Sequence, residues 1–166
     1  QVDTVQLADL LGTGTSCLVW SSPLSSRQSA PIRYFDLTSS VKPHLLVEVD
    51  NHRGMKRIVT YSTSTQEYLR DRKAGTPWAT KLPVPVQVIS KVETFDLIAG
   101  GRLTTTYTYH HGYYDRAERE FRGFGRVEAT DTELFLPASE QDETADWTLG
   151  EGLWDEHAPP ILTKTW

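Results

Sequence analysis

The side chains best suited to chemistry are grouped in the second half of the chain. His110 and His111 are adjacent, and carboxylates follow at Asp115, Glu118 and Glu120. Imidazole and carboxylate groups are common metal ligands and proton-transfer groups. However, adjacent residues at the end of a strand point to opposite faces, so the two histidines would rarely bind one ion together. Since the sequence also contains no HExxH pattern, it predicts no catalytic residue and no metal site in this stretch.

The charged residues after His111 favour a different interpretation, because acidic and basic side chains are interspersed. Such mixtures form ion pairs and keep an exposed connection between strands soluble. The residues concerned are Asp115, Arg116, Glu118, Arg119, Glu120 and Arg122. We predict a charge-paired crossing between two strands. The sequence also lacks a GxSxG elbow, a GxxxxGK loop and a GxGxxG opening a helix, so it indicates no nucleophile and no cofactor.

Three aromatic residues, Trp78, Tyr113 and Tyr114, suggest a surface binding site. Aromatic rings exposed together on one face of a sheet can stack on sugar rings, as in a carbohydrate-binding module. The same rings can instead belong to the core and pack against the sheet. The two interpretations differ in the burial of the three side chains, so both stay open at this point.

One carboxylate near the N-terminus, Asp9, raises the question of a calcium site. Residues 5–10 and 18–20 read as strands joined by the glycine turn Gly12-Thr13-Gly14, which is one hairpin of a propeller blade. The stretch resembles FG-GAP repeats, in which several aspartates bind calcium through their oxygens. Of those aspartates only Asp9 is present, because Leu11, Thr13 and Cys17 occupy the other positions. We predict that this hairpin is structural.

The elements that would position these residues are mainly strands. Residues 103–109 alternate between threonines on one face and Leu103, Thr105, Tyr107 and Tyr109 on the other, which is typical of a half-buried strand. Glycines 112, 123 and 125 mark positions of positive φ or close backbone approach. The sequence therefore predicts a strand, a charged crossing and a second strand over residues 103–127.

Further hairpins precede this one. Residues 45–50 and 55–61 alternate around the turn Asn51-His52-Arg53-Gly54, and residues 84–92 lead through the turn at 99–102 into the next strand. The capping-box pattern Ser64-Thr65-Gln66-Glu67 predicts one helix of about two turns, ending before Gly75. The fold class is thus mainly β, built from antiparallel β-hairpins with one short helix.

Composition narrows the classes of function. The chain has 166 residues, a net charge of −5 and a pI near 5.5, which gives no general attraction to nucleic acid or to anionic membranes. One cysteine, Cys17, excludes an intrachain disulfide. No apolar run approaches the ~20 residues that cross a bilayer. We expect no nucleic-acid partner and no membrane insertion.

The last part of the chain differs in charge from the rest. No Lys or Arg lies between Arg126 and Lys164, whereas acidic residues are frequent there. A run of one sign is usually a solvated loop. Residues 161–166 alternate like a strand again and would form an open sheet edge if unpaired. We predict an acidic tail followed by a terminal strand.

Four stretches carry a resemblance to a known family. YHHGYYDRAEREFRGFGRVE from Tyr109 resembles the middle region of the B component of bacterial Tc insecticidal toxin complexes, the TcdB/SpvB-like family. Three other stretches resemble the same family. They are VQLADLLGTGTSCLVWSS from Val5, PHLLVEVDNHRGMKRIVTYSTSTQEYL from Pro43 and AGTPWATKLPVPVQVISKVE from Ala74. The resemblance implies β-hairpins of the Rhs/YD-repeat shell type, with a propeller-blade remnant at the N-terminus.

The resemblance also implies an organisation and a role. We expect a β-propeller remnant at 1–24, a connector at 25–43, a hairpin middle domain at 44–133, and the acidic tail and terminal strand at 134–166. The implied function is a non-catalytic segment linking the propeller to a cocoon that encloses a toxic effector. Its partners would be the pore-forming A component and the effector-bearing C component. The protein would be made in the bacterial cytoplasm and secreted as part of the toxin complex. The chain would be an interior piece of a longer protein.

Two alternatives to this role remain. The chain would be a carbohydrate-binding β module if the aromatic residues bind sugars. It would be an accessory domain of an ADP-ribosylating toxin if it functions as part of an SpvB-like protein.

We expect calcium to leave the melting temperature unchanged, because Asp9 alone does not provide the ring of oxygen ligands that calcium needs. A ligand that binds only the folded state raises the melting temperature. Calorimetry in millimolar calcium and in chelator measures the effect, with Asp9→Asn as the control. A rise of several degrees that Asp9→Asn abolishes would contradict the prediction.

Overall fold

Two antiparallel sheets contain the strands of this computed structural model, which describes residues 3–38, 42–135, 155–156 and 159–166. In chain order the strands are β1 (Thr4–Ala8), β2 (Cys17–Ser21), β3 (Ile32–Asp36), β4 (Glu48–Asp50), β5 (Met55–Thr63), β6 (Gln87–Asp96), β7 (Gly101–Asp115), β8 (Glu120–Phe135), β9 (Asp155–Glu156) and β10 (Ile161–Thr165). Helix α1 (Ser64–Lys73) lies between β5 and β6, and a 3-10 turn covers Ser25–Arg27. The mainly β fold with one short α-helix is confirmed.

The first sheet has the order β1-β2-β3. The predicted glycine turn connects β1 to β2, and both Gly12 and Gly14 have the positive φ that glycine adopts without strain. β3, which lies in the predicted connector, pairs with β2 from Cys17↔Asp36 to Ser21↔Ile32. The connector therefore contributes a third strand to this sheet.

The second sheet has the order β10-β8-β7-β6-β5-β4, and β9 also pairs with β8. The predicted turn at 51–54 joins β4 to β5, and the side chain of Asn51 accepts hydrogen bonds from the N–H groups of Arg53 and Met55. β4 covers only Glu48–Asp50, so the strand predicted at 45–50 is too long. Just before β4, the Val59 N–H still donates a hydrogen bond to the Val47 carbonyl.

Helix α1 begins one residue earlier than the capping box predicts. The N-cap is Thr63, whose hydroxyl accepts a hydrogen bond from the Gln66 N–H at 3.3 Å. Ser64 is unsuited to cap because its hydroxyl and its N–H are both bonded to the backbone of Val86. The helix has 10 residues and is longer than two turns, and it ends before Gly75, whose φ is positive.

The longest hairpin is formed by β7 and β8. It agrees with the prediction of a strand, a charged crossing and a second strand over residues 103–127. Asp115 closes its tip by accepting hydrogen bonds from the N–H groups of Ala117 and Glu118. The terminal strand β10 pairs with β8 from Ile161↔Asp131 to Thr165↔Val127. The predicted acidic tail falls largely on residues 136–154, which lie outside the described residues.

Trp78, in the loop after α1, is one of the buried apolar residues that pack on the second sheet. Its indole ring meets Tyr68 of α1 and Phe124 of β8 edge to face, at centroid distances of 5.7 and 6.0 Å. Gly112 of β7 lies directly beneath, where a Cβ atom would come within 2.9 Å of the Trp78 ring and 2.8 Å of Leu82. The glycine therefore lets the loop pack against the sheet.

No helix among the described residues is long and apolar enough to span a membrane.

We predict that Gly112→Ala lowers the free energy of unfolding by about 1–3 kcal/mol, the usual cost of overpacking. The indole is held on several sides and cannot retreat without losing its contacts. Urea unfolding measures the change. Gly123→Ala serves as a comparison, since no atom lies within 4 Å of its added Cβ and its cost comes from the backbone alone. Unchanged stability of Gly112→Ala would contradict this packing.

Candidate functional site

The most connected polar side chains lie where α1 and the following loop pack against β7. The carboxylate of Asp71 accepts hydrogen bonds from the Trp78 indole N–H at 2.7 Å and from Nδ1 of His110 at 2.6 Å. Its second oxygen accepts from Arg70 at 2.8 Å. Asp71 and His110 are buried. One carboxylate thus joins the helix, the loop and the strand.

The hydrogen bonds decide the ionisation of this group. Burial alone would raise the pKa of Asp71, but bonds from Trp78, Arg70 and His110 outweigh it and hold the pKa below its ordinary value of 3.8. Burial would likewise lower the pKa of Arg70, and its contacts with Asp71 and Glu67 raise it instead. The site therefore contains an ionised carboxylate at neutral pH.

A second carboxylate, Glu67, lies one helical turn away. It forms an ion pair with Arg70 and accepts a hydrogen bond from the backbone N–H of Tyr109 at 3.1 Å. Arg70 in turn donates to the backbone carbonyl of Tyr109 at 3.2 Å. These charged side chains therefore bind the backbone of β7.

The Asp71–His110 pair resembles part of a catalytic triad, in which an aspartate orients a histidine. A triad also needs a nucleophile beside the second ring nitrogen. Nε2 of His110 is buried and has no hydrogen-bond partner among the described residues. The cysteine, Cys17, is buried in the first sheet. The geometry of the pair supports packing of α1 on β7.

The candidate metal or acid–base residues are not brought together. His110 faces Asp71, whereas His111 adopts a positive φ and its ring centroid is 6.4 Å from that of His110. No group of three potential ligands occurs among the described residues. At the hairpin tip Arg122 approaches Glu120 at 3.3 Å and Asp115 at 3.9 Å. The predicted charge pairing is therefore confirmed for Asp115, Glu120 and Arg122, which are three of the six residues named.

The three aromatic residues do not form one exposed platform. Trp78 is only 7% exposed, because its ring lies in the core and its N–H is bonded to Asp71, so the core interpretation applies to this residue and it is excluded from a surface site. Tyr113 is 48% exposed and Tyr114 is half-buried, with a register shift between them. Sugar binding by these two tyrosines stays a prediction.

The Asp9 turn is closed by its own backbone. One carboxylate oxygen of Asp9 accepts from the Thr13 N–H at 3.0 Å and the other from the Gly14 N–H at 2.8 Å. Both oxygens are therefore engaged in shaping the turn. The absence of a calcium effect stays a prediction.

Sequence analysis missed the Asp71 network. A signal was present, because Glu67 and Asp71 are four residues apart and therefore lie on the same face of the predicted helix, with Arg70 between them. Such a face is usually solvated, so the pattern does not reveal that Trp78 and His110 cover it. His110 is distant from the helix in sequence, and Trp78 follows the helix in a loop that has no regular periodicity.

One face of the first sheet is a candidate interaction surface. The register pairs Val5 with Trp20, Leu7 with Leu18, and Leu18 with Phe35, which places these five apolar residues on the same face. Val5, Leu7 and Phe35 are exposed, and Leu18 and Trp20 are half-buried. Contiguous exposed apolar patches usually mark interaction sites.

Comparisons with known proteins agree with this architecture. Residues 1–148 match a family described as the insecticide toxin TcdB middle/N-terminal region. The chain is similar to crystal structures of TcdB2-TccC3 (34% identity, TM-score 0.73, 98% of this chain and 7% of that chain) and of TcdB2-TccC3 without the hypervariable C-terminal region (34%, 0.74, 99% and 7%). It is also similar to TcdB2-TccC3-Cdc42 (34%, 0.73, 99% and 7%). A search of curated proteins gave no match. The chain spans about 7% of the length of the solved chains it matches.

We predict that Asp71→Asn lowers the free energy of unfolding at pH 7 by about 3 kcal/mol, the usual cost of breaking a buried ion pair. Because the pKa of Asp71 is depressed in the folded state, its contribution is present above pH 3.8 and is lost as pH falls through the folded pKa. The difference between wild type and variant should therefore shrink on acidification.

Urea unfolding at pH 7 and pH 3 measures this difference. Glu93 and Glu128 also have depressed pKa values, so wild type and variant both lose stability in acid and only their difference reports on Asp71. A difference that is the same at both pH values would contradict the prediction.

Proposed function

This chain belongs to the family of the middle/N-terminal region of the insecticide toxin TcdB, and we propose that it is a non-catalytic wall segment of the toxin-complex shell. In this proposal it links a β-propeller to the Rhs/YD-type cocoon that encloses a toxic effector. The observation that carries the proposal is the similarity of nearly the whole chain to part of TcdB2, at 34% identity, in crystals that also contain TccC3.

The buried polar residues support a structural role. The hydrogen-bonding groups that approach Asp71 come from the helix, the loop and β7, and each is engaged in holding these parts together. A catalytic carboxylate would need at least one oxygen directed towards a substrate. The arrangement of Asp71 therefore suits a wall that must keep its shape.

The exposed face of the first sheet supports the link to a propeller. An apolar sheet face that stays in water contributes no hydrophobic stabilisation. Burying that face against a neighbouring sheet of the same longer protein would stabilise it by about 25 cal/mol per Å² of apolar area. We propose that a propeller blade provides this neighbouring sheet.

The connection between the two sheets supports the role of a joint. The Thr63 hydroxyl donates to the Gly12 carbonyl at 3.1 Å, and the Gln87 amide donates to the Thr13 carbonyl. Gly12 also packs against Thr65, where a Cβ atom would come within 2.7 Å of the threonine methyl group. The glycine turn of the first sheet is thereby fixed to the start of α1.

The partners follow from this position. The effector-bearing C component is the proposed partner in the shell, since the solved relatives are complexes of TcdB2 with TccC3. The pore-forming A component would be contacted through the propeller. The assembled complex would act outside the bacterium after synthesis in its cytoplasm.

We expect Leu7→Glu and Phe35→Glu, made in the full-length B component, to reduce the yield of soluble complex with the C component at least severalfold. Each places a charge on the face that must be buried, which costs several kcal/mol when the charge has no partner. Size-exclusion chromatography of the co-expressed components measures the yield.

Gln6→Glu is the matched control, because Gln6 is exposed on the opposite face of β1. It should leave the yield unchanged. Equal yields from Leu7→Glu, Phe35→Glu and Gln6→Glu would contradict the proposed burial of this face.

A further inference from the structure

Half of β7 has an edge without a neighbouring strand among the described strands. β6 pairs with β7 only from Lys91↔Thr106 to Asp96↔Gly101. β7 continues to Asp115 and is paired there on its other side with β8 alone. Backbone N–H and C=O groups along such an edge form a template for the addition of another strand.

The composition of this edge gives little protection. Residues 107–109 of this edge, Tyr-Thr-Tyr, carry no charge and contain neither proline nor glycine. Threonine and tyrosine are strong strand formers. Natural edges usually avoid unwanted pairing by charges, prolines or bulges, or by a covering element. Residues 107–109 have none of these features, and the register shift of β7 comes only after Tyr113, so protection at Tyr109 must come from a covering element.

Side chains from α1 and the following loop occupy the edge. Glu67 accepts a hydrogen bond from the Tyr109 N–H, and Arg70 donates to the Tyr109 carbonyl. Further along, the Thr80 hydroxyl donates to the Gly112 carbonyl at 2.7 Å. These three side chains bind backbone groups in the way that a neighbouring strand would.

The covering side chains are held firmly in place. Glu67 is buried and paired with Arg70, and Arg70 is also bonded to Asp71. Asp71 is fixed by Trp78 and His110. A charged pair that is positioned in this way keeps its hydrogen bonds to Tyr109 without further ordering.

We propose that residues 67–80 are an edge plug, which occupies the strand-addition site of β7 beyond Thr106. Without the plug's side chains, this edge pairs antiparallel with the same edge of a second copy of the chain. A two-fold pairing satisfies both copies, because Tyr109 offers one donor and one acceptor to its equivalent. The inference concerns the chain alone and holds whether or not the chain belongs to a toxin shell.

The first test uses the wild-type chain. Hydrogen exchange followed by NMR should show the Tyr109 amide protected to a similar degree as the Val92 amide, which lies between two strands. Rapid exchange at Tyr109, as in an exposed amide, would overturn the plug.

The second test compares three variants. Glu67→Ala should speed exchange at Tyr109 roughly tenfold or more, because a hydrogen bond to a charged acceptor is lost. Glu67→Gln retains an acceptor oxygen and should preserve most of the protection. Arg72→Ala, at an exposed position of the same helix, is the matched control and should behave as wild type. Exchange at Val92 should be unaffected in all three.

Sedimentation velocity at several concentrations then identifies the occupant. Glu67→Ala should dimerise with an association constant roughly tenfold above that of Arg72→Ala. Faster exchange at Tyr109 without added dimer would overturn the second copy as occupant. An equal rise of exchange at Tyr109 and Val92 would overturn the local plug, since Glu67 would then stabilise the whole sheet.

Discussion

The structure depends on the burial of one ionised carboxylate. Asp71 leaves water only because the Trp78 indole, His110 and Arg70 all donate hydrogen bonds to it. These donors come from a loop, a strand and the helix itself, so the carboxylate fixes all three relative to one another. The same contacts bring Trp78 onto Gly112 and between Tyr68 and Phe124. A charge that is costly to bury thereby orders the packed core around it.

The position of α1 controls how the large sheet ends. Along the first half of β7, β6 provides the neighbouring strand, and beyond Thr106 the side chains of Glu67, Arg70 and Thr80 replace it. The outermost strands of the sheet are β4 and β10, and every residue of β10 is exposed. The helix thus covers the part of the β7 edge that β6 leaves unpaired.

The outcome for the candidate sites follows from burial. In the sequence His110 and His111 are adjacent and equally capable of proton transfer or metal binding. In the fold, however, His110 is bonded to Asp71 and His111 has a positive φ. Trp78, Tyr113 and Tyr114 look alike as stacking residues, but only the two tyrosines retain exposed surface. The N-cap is Thr63 and not the predicted Ser64, because the Ser64 hydroxyl is bonded to Val86. Local sequence patterns do not contain that contact.

Local periodicity and turn chemistry were enough to predict the hairpins, the glycine turn, the single helix and the charge-paired tip, because each depends on residues close together in the chain. The family was indicated separately, by the resemblance of the long motif around His110, and the match over residues 1–148 shows it. The Asp71 network, the pairing of β3 with the first sheet and the covering of the Tyr109 edge were decided only by the tertiary structure. Each joins groups that are distant in sequence or lie in irregular segments. Whether a polar side chain is solvated or buried there depends on what the fold packs against it.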